Sequence, residues 1–123
     1  MKQIIRITLF AFALVCSATG ASFAQVAETG VLAWTANTEA DLAGYKVYQR
    51  SATGSYSTPV ATLGRVTTYT ASLPAPSLVS QPFFWVITAY DLAGNESARS
   101  SEVTKTIAAI DLPPTAPVGV TVR

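Results

Sequence analysis

Residues 83–90 read Phe-Phe-Trp-Val-Ile-Thr-Ala-Tyr, a run of eight residues that is almost entirely apolar or β-branched. Such a run predicts a central β-strand that is covered on much of both faces. Shorter alternating runs occupy the rest of the chain, separated by proline and glycine, and no stretch has the periodicity of an amphipathic helix. These runs lie at residues 31–35, 45–50, 59–63, 67–73 and 100–107. Their spacing predicts an all-β sandwich.

The alternation within each run assigns one face to the core, because successive side chains of a strand point to opposite faces. Both tryptophans lie on the inward parity of their runs and should bury more apolar area than any neighbour. The predicted core residues are Trp34, Tyr45, Val47, Tyr69, Leu73, Trp85 and Ile87.

The first 24 residues have the pattern of a secretory signal. Lys2 and Arg6 give a basic start, residues 7–16 are apolar and uncharged, and small residues precede a cleavage site after Ala24. The apolar run is too short to span a bilayer. We therefore expect residues 1–24 to be removed and the protein to be secreted or periplasmic, with no membrane span in the mature chain.

The predicted mature chain, residues 25–123, has six basic and seven acidic residues and contains neither Cys nor His. This composition excludes a disulfide, a Cys/His zinc site and a nucleophile paired with a His or Cys. Without a basic excess, the chain has nothing that would attract nucleic acid or an anionic membrane. We expect no cofactor and no nucleic-acid partner.

Four motifs follow one another in order along this chain. They are Leu-Ala-Trp at 32–34, Asp-Leu-Ala-Gly-Tyr-Lys-Val-Tyr at 41–48, Thr-Thr-Tyr-Thr at 67–70, and Trp-Val-Ile-Thr-Ala-Tyr-Asp-Leu-Ala-Gly-Asn-Glu-Ser at 85–97.

In this order and spacing the motifs resemble a bacterial fibronectin type III domain, over residues 31–107. The resemblance implies an immunoglobulin-like sandwich of seven strands in two sheets, and a module that usually binds or spaces and does not catalyse. The chain then divides into the signal, a sandwich over residues 25–110, and a proline-rich segment over residues 111–123.

The resemblance also places the strand of residues 45–50 beside the strand of residues 83–90. The alternation turns Phe84 and Val86 away from the core, and Tyr48 faces the same way, between Lys46 and Arg50. We predict an exposed apolar stripe with a cationic rim, which would contact a protein or a glycan at the cell envelope. The alternative is that neighbouring side chains or the C-terminal segment cover the stripe.

Catalytic and metal-binding interpretations are weaker. Without His, a carboxylate pair is the only acid–base apparatus, and the carboxylates lie in turns; a carbohydrate-active accessory domain or a hydrolase is the remote alternative. In the resembled fold Asp41 shares one end of the sandwich with Asp91, Asn95 and Glu96, whose oxygens could bind Ca²⁺. Ordinary turn chemistry explains the same residues. We predict no catalytic residue and no metal site.

The C-terminal segment reads like one more strand. Pro113, Pro114 and Pro117 stiffen it, and residues 118–122 alternate so that three valines share a face. The mature chain lacks a convincing first strand, so we expect this segment to add to a sheet edge, in the same chain or in a neighbour. Self-association as an assembly subunit is the corresponding alternative function, and a frayed tail is the alternative structure.

Overall fold

The computed structural model of this chain describes Ile5, residues 7–11 and residues 27–122. In these stretches the secondary structure is β-strand without helix, so no helix there has the length and apolar character needed to cross a membrane. The strands are β1 (Ile7–Ala11), β2 (Thr29–Trp34), β3 (Leu42–Ser51), β4 (Ala61–Leu63), β5 (Thr68–Ser72), β6 (Gln81–Asp91) and β7 (Val103–Ile107).

The strands form two antiparallel sheets, with the order β1-β2-β5 in one and β4-β3-β6-β7 in the other. The prediction of an all-β architecture with two sheets is confirmed. The sheets enclose one apolar core, and the Lys105 ammonium joins them at an edge by lying 3.1 Å from the Glu28 carboxylate. The long run of residues 83–90 lies within β6, which is flanked by strands on both sides.

The core is built from the inward faces of both sheets. Trp85, Tyr45, Val47 and Ile87 from the four-stranded sheet are at most 1% exposed, and they meet Leu32 of β2, which is fully buried. Other members are Trp34, Leu73, Ala89 and Ile107, with Tyr69 packed partly buried against them.

One ring contact and two hydrogen bonds order the aromatic residues of this core. The rings of Trp34 and Tyr45 meet edge to face with centroids 5.3 Å apart. The Tyr45 hydroxyl accepts a hydrogen bond of 2.8 Å from the backbone N–H of Asn37, and the Trp85 indole donates one of 3.0 Å to Gln49. Tyr45 and Trp85 therefore bury their rings while the Tyr45 hydroxyl and the Trp85 indole N–H each have a hydrogen-bond partner.

A β-bulge near the start of β3 sets the fit of this strand against β4. The register of β3 against β6 shifts between Leu42 and Gly44, and a Cβ atom on Gly44 would lie 1.9 Å from the carbonyl oxygen of Leu63. Only glycine allows this approach of two backbones. The second Asp-Leu-Ala-Gly motif uses its glycine differently, because Gly94 closes a turn with a φ of 89°.

The two ends of the chain differ in the structure that they form. The apolar centre of the predicted signal contributes β1, which pairs with β2 from Ile7↔Trp34 to Ala11↔Gly30. The predicted cleavage site after Ala24 lies outside the described residues. Residues 111–122 form no strand here and are exposed, so the additional edge strand is not made within the chain.

Candidate functional site

The outer face of the four-stranded sheet brings together the five side chains predicted to bind a partner. β3 and β6 pair so that Tyr48 lies opposite Val86, Arg50 opposite Phe84, and Lys46 opposite Thr88. All of these side chains point away from the core that holds Trp85 and Ile87. The face that the alternation assigned to them is therefore the one they occupy.

The predicted exposure of the apolar stripe is wrong. Tyr48 is 9% exposed and Val86 is 4% exposed, while Phe84 is half-buried. The Arg50 guanidinium carbon lies 4.0 Å from the centre of the Phe84 ring and shields it. The stripe is thus a second, outer layer of packing beneath other side chains.

A segment over residues 96–102, which we call the covering segment, lies beside β6, and its Glu96 and Arg99 side chains reach Tyr48 on this face. In this segment, serine hydroxyls accept hydrogen bonds from backbone N–H groups of β6. Ser97 exchanges bonds with Ala89, its N–H donating to the carbonyl at 2.8 Å and its hydroxyl accepting from the N–H at 2.9 Å. Ser100 does the same with Ile87 at 2.9 Å and 2.9 Å. Regular pairing between β6 and β7 then begins at Val103.

Glu96 fastens the covering segment to the outer face. One carboxylate oxygen accepts hydrogen bonds of 2.6 Å from the Tyr48 hydroxyl and 2.6 Å from the Thr88 hydroxyl. The other accepts one of 2.8 Å from the Lys46 ammonium. Partial burial acts to raise the pKa of Glu96, but the bonds from Lys46, Thr88 and Tyr48 outweigh it and lower the pKa to about 2. Burial and the bond to Glu96 raise the pKa of Tyr48.

A second carboxylate organises the other end of this face. Glu102 accepts bonds from the Arg50 guanidinium at 2.9 Å, 3.0 Å and 3.2 Å and from the Tyr56 hydroxyl at 2.6 Å. The bonds from Tyr56 and then Arg50 lower the pKa of Glu102. Burial and the bond to Glu102 raise the pKa of Tyr56 to about 12. The planar guanidinium is thereby held in one orientation.

Cations and rings alternate along the face between these two carboxylates. Arg50 lies between Phe84 and Tyr56, whose ring centre is 5.4 Å from its guanidinium carbon. Arg99 lies between Tyr56, at 5.4 Å, and Tyr48, at 5.8 Å. We call these five residues the cation–ring surface.

Arg99 differs from Arg50 in its partners. Its guanidinium donates a bond of 3.0 Å to the backbone carbonyl of Tyr56, and within residues 27–122 no carboxylate lies close enough to form an ion pair with it. Arg99 is exposed on the covering segment. Its charge is therefore available to a group from outside the chain.

Of the loop carboxylates that were weighed as calcium ligands, Glu96 binds the outer face and Asp91 is engaged in the turn after β6. The Asp91 carboxylate accepts bonds of 2.8 Å from the Asn95 backbone N–H and 2.8 Å from the Asn95 side-chain amide. The Asn95 side chain lowers the pKa of Asp91. Over the described part of the chain, no three carboxylate, His or Cys side chains are grouped as a metal site would require.

Sequence reasoning did not single out Tyr56, Arg99 or Glu102. Tyr56 and Arg99 lie outside the strands, so the alternation of strand residues carries no information about them. One signal in the sequence could have indicated the network. Glu96, Arg99 and Glu102 are spaced three residues apart, and the predicted strand of residues 45–50 carries the cations Lys46 and Arg50.

The comparisons with known proteins add no relative: no family model, no curated protein and no solved structure matches this chain.

Proposed function

We propose that this protein is a secreted or periplasmic, non-catalytic module of the fibronectin type III kind. It contacts a partner at the cell envelope through the cation–ring surface. The strands outside the predicted signal, β2 to β7, lie in two antiparallel sheets, which supports the type of sandwich that the resemblance in the four sequence motifs implies. The basic start and the apolar run before Ala24 support export.

The alternation of two arginines with three rings on one sheet face carries the binding proposal. Arginine and aromatic residues are enriched in the centres of protein interfaces, where they supply most of the binding energy. Here Arg50 is already oriented by Glu102 and the Phe84 ring. A surface held in this way loses little side-chain entropy on binding.

The charge of Arg99 indicates the chemistry of the partner. An exposed guanidinium between two tyrosine rings suits a carboxylate or another planar anion, which it can bind with two parallel hydrogen bonds. We favour an acidic segment of a protein. A glycan would require open, coplanar rings, whereas Tyr48 is buried and the Phe84 ring is capped by Arg50.

The contacts of three carboxylates support the non-catalytic part of the proposal. Glu96 and Glu102 bind cations and hydroxyls on the sheet face, and Asp91 binds Asn95 within its turn. Each is used to hold structure, and the mature sequence offers no His or Cys to complete a nucleophilic or acid–base pair.

Quantitative capture from an envelope extract tests the proposal with two matched variants. Arg99→Gln and Thr70→Glu each make the net charge more negative by one, and Thr70 is exposed on β5, in the other sheet. We expect Arg99→Gln to reduce the amount of the captured partner at least about tenfold, since an interface arginine contributes up to several kcal/mol. Thr70→Glu should leave capture unchanged. Equal capture by both variants would contradict the proposal.

A further inference from the structure

The outer edge of β2 is a strand-accepting site. In the structure β1 fills it with five antiparallel residue pairs, from Ile7↔Trp34 to Ala11↔Gly30. Ile5 is 2% exposed and belongs to the core, and Ile7 and Leu9 pack against that core. The site therefore accepts apolar side chains at every second residue, beside Leu32 and Trp34 of β2.

Export would empty this site. β1 lies within residues 1–24, the predicted signal, so its removal leaves the N–H and C=O groups of this edge unpaired and uncovers the core beneath. An open edge of this kind pairs readily with another extended segment. This step rests on the proposed function, in which residues 1–24 are removed.

The C-terminal segment has the pattern that the site requires. Val118, Val120 and Val122 are 95%, 80% and 99% exposed, and they alternate with Gly119 and Thr121. Their spacing equals that of Ile5, Ile7 and Leu9 in the filled site. Gly119 has a φ of 70° here, and as a glycine it also adopts the extended conformation without steric penalty.

The path of the chain directs this segment away from its own β2. The segment follows β7, where Lys105 donates a bond of 2.8 Å to the carbonyl of Thr29, the first residue of β2, and the Ile110 N–H binds Ser77 at 2.8 Å. A strand in the place of β1 has to enter at the opposite end, beside Trp34. The seven residues 111–117, stiffened by three prolines, span about 22 Å when extended, roughly the length of β2 with nothing left for a reversal.

We propose that, after residues 1–24 are removed, residues 118–122 of one copy add to β2 of a second copy in the place of β1. Val120 takes the position of Ile7, opposite Trp34, and Thr121 takes that of Thr8, opposite Ala33. Each copy donates one strand and accepts one. The contact is head-to-tail, so it produces a closed ring or a filament.

Cysteine pairs test the proposed register in the exported protein. The predicted mature chain has no cysteine, so Ala33→Cys with Thr121→Cys introduces a single pair, which the proposal brings opposite each other between copies. The control pair is Thr62→Cys with Thr121→Cys, which probes the exposed edge at β4. The full gene is expressed with export, the intact mass is measured, and linked species are separated on non-reducing gels.

We expect a processed chain in which the Ala33/Thr121 pair forms at least about tenfold more intermolecular disulfide than the Thr62/Thr121 pair, because a docked strand raises the effective concentration of the two thiols. Val118→Asp with Val120→Asp should reduce a wild-type assembly to monomer in light scattering. Thr115→Asp with Thr121→Asp, which adds the same charge to exposed positions outside the valine face, should not. The four positions changed to aspartate are exposed, so these aspartates leave the sandwich itself undisturbed.

The outcomes separate this inference from the proposed function. A processed protein that is monomeric, or that links equally through both cysteine pairs, overturns strand exchange and leaves the binding proposal intact. A chain that keeps residues 1–24 overturns export and strand exchange together, because β1 then keeps the site.

Discussion

The Tyr48 hydroxyl donates a hydrogen bond of 2.6 Å to the Glu96 carboxylate, which lies 48 positions later in the chain. The same carboxylate also binds Lys46 and Thr88, so one side chain of the covering segment holds three side chains of two strands. This contact explains why an aromatic residue on the outer parity of β3 is buried. It also makes the outer face sensitive to the protonation of Glu96.

Glu96→Gln should reduce the loss of stability in acid. The pKa of Glu96 is about 2 in the folded protein against an ordinary 4.5, so the unfolded state binds the proton more readily. Its contribution to stability is complete above about pH 4.5 and is lost as the pH falls towards 2. In thermal unfolding from pH 7 to pH 2, the variant should start roughly 1 kcal/mol less stable than wild type, and this gap should narrow in acid.

Asp111→Asn is the matched control, because it makes the same chemical change in the exposed C-terminal segment. Its unfolding curves should follow those of the wild type across this range. A gap between wild type and Glu96→Gln that stays constant from pH 7 to pH 2 would show that Glu96 is not linked to folding in this way.

Gly44→Ala should destabilise the sandwich by about 1–3 kcal/mol or more, since the new methyl group would meet the Leu63 carbonyl at 1.9 Å and force the two backbones apart. Gly64→Ala is the control in the same neighbourhood, and a Cβ there meets nothing within 4 Å. Urea unfolding of both variants measures the difference. Equal stabilities would mean that β3 and β4 do not approach as closely as described.

The two core tryptophans should respond differently to substitution by phenylalanine. Trp85→Phe loses ring volume and also the indole bond to Gln49, whereas the buried Trp34 indole N–H has no partner among the described residues. We expect Trp85→Phe to destabilise the protein by about 1 kcal/mol more than Trp34→Phe, the net value of a typical hydrogen bond. Denaturant midpoints at constant slope give the comparison. A larger effect at Trp34 would contradict this assignment of the polar contacts.

The sandwich was predictable because its strands carry local information. The alternation in β3 and β6 placed Trp85, Ile87 and Val47 inward and Phe84 and Val86 outward, and the structure shows this parity. The continuous apolar run of residues 83–90 also indicated cover on both faces, and residues 85–89 are all buried.

The cover itself was not predictable from the alternation. It comes from residues 96–102, which pair with β6 through the hydroxyls of Ser97 and Ser100 in place of a regular ladder. An irregular segment has no period, so the contacts of Glu96 and Arg99 with Tyr48 depend on residues far apart in sequence. For the same reason, the alternation of strand residues did not predict the roles of Tyr56 and Arg99.

The N-terminal run shows a conflict of a different kind. A short apolar and β-branched run such as residues 7–11 satisfies the requirements of a signal and of a buried strand equally well. The structure of the full chain uses it as β1 because the edge beside Leu32 and Trp34 offers apolar cover and backbone hydrogen bonds.

Photo-cross-linking in the producing cells tests the central claim, that the cation–ring surface contacts a partner. A photoreactive amino acid is placed in the full chain at position 98, where Ala98 is exposed beside Arg99, and in a second strain at position 70. After irradiation we predict a discrete cross-linked protein from position 98 that is absent from position 70. Cross-linking that is absent at both positions, or equal at both, would contradict the claim.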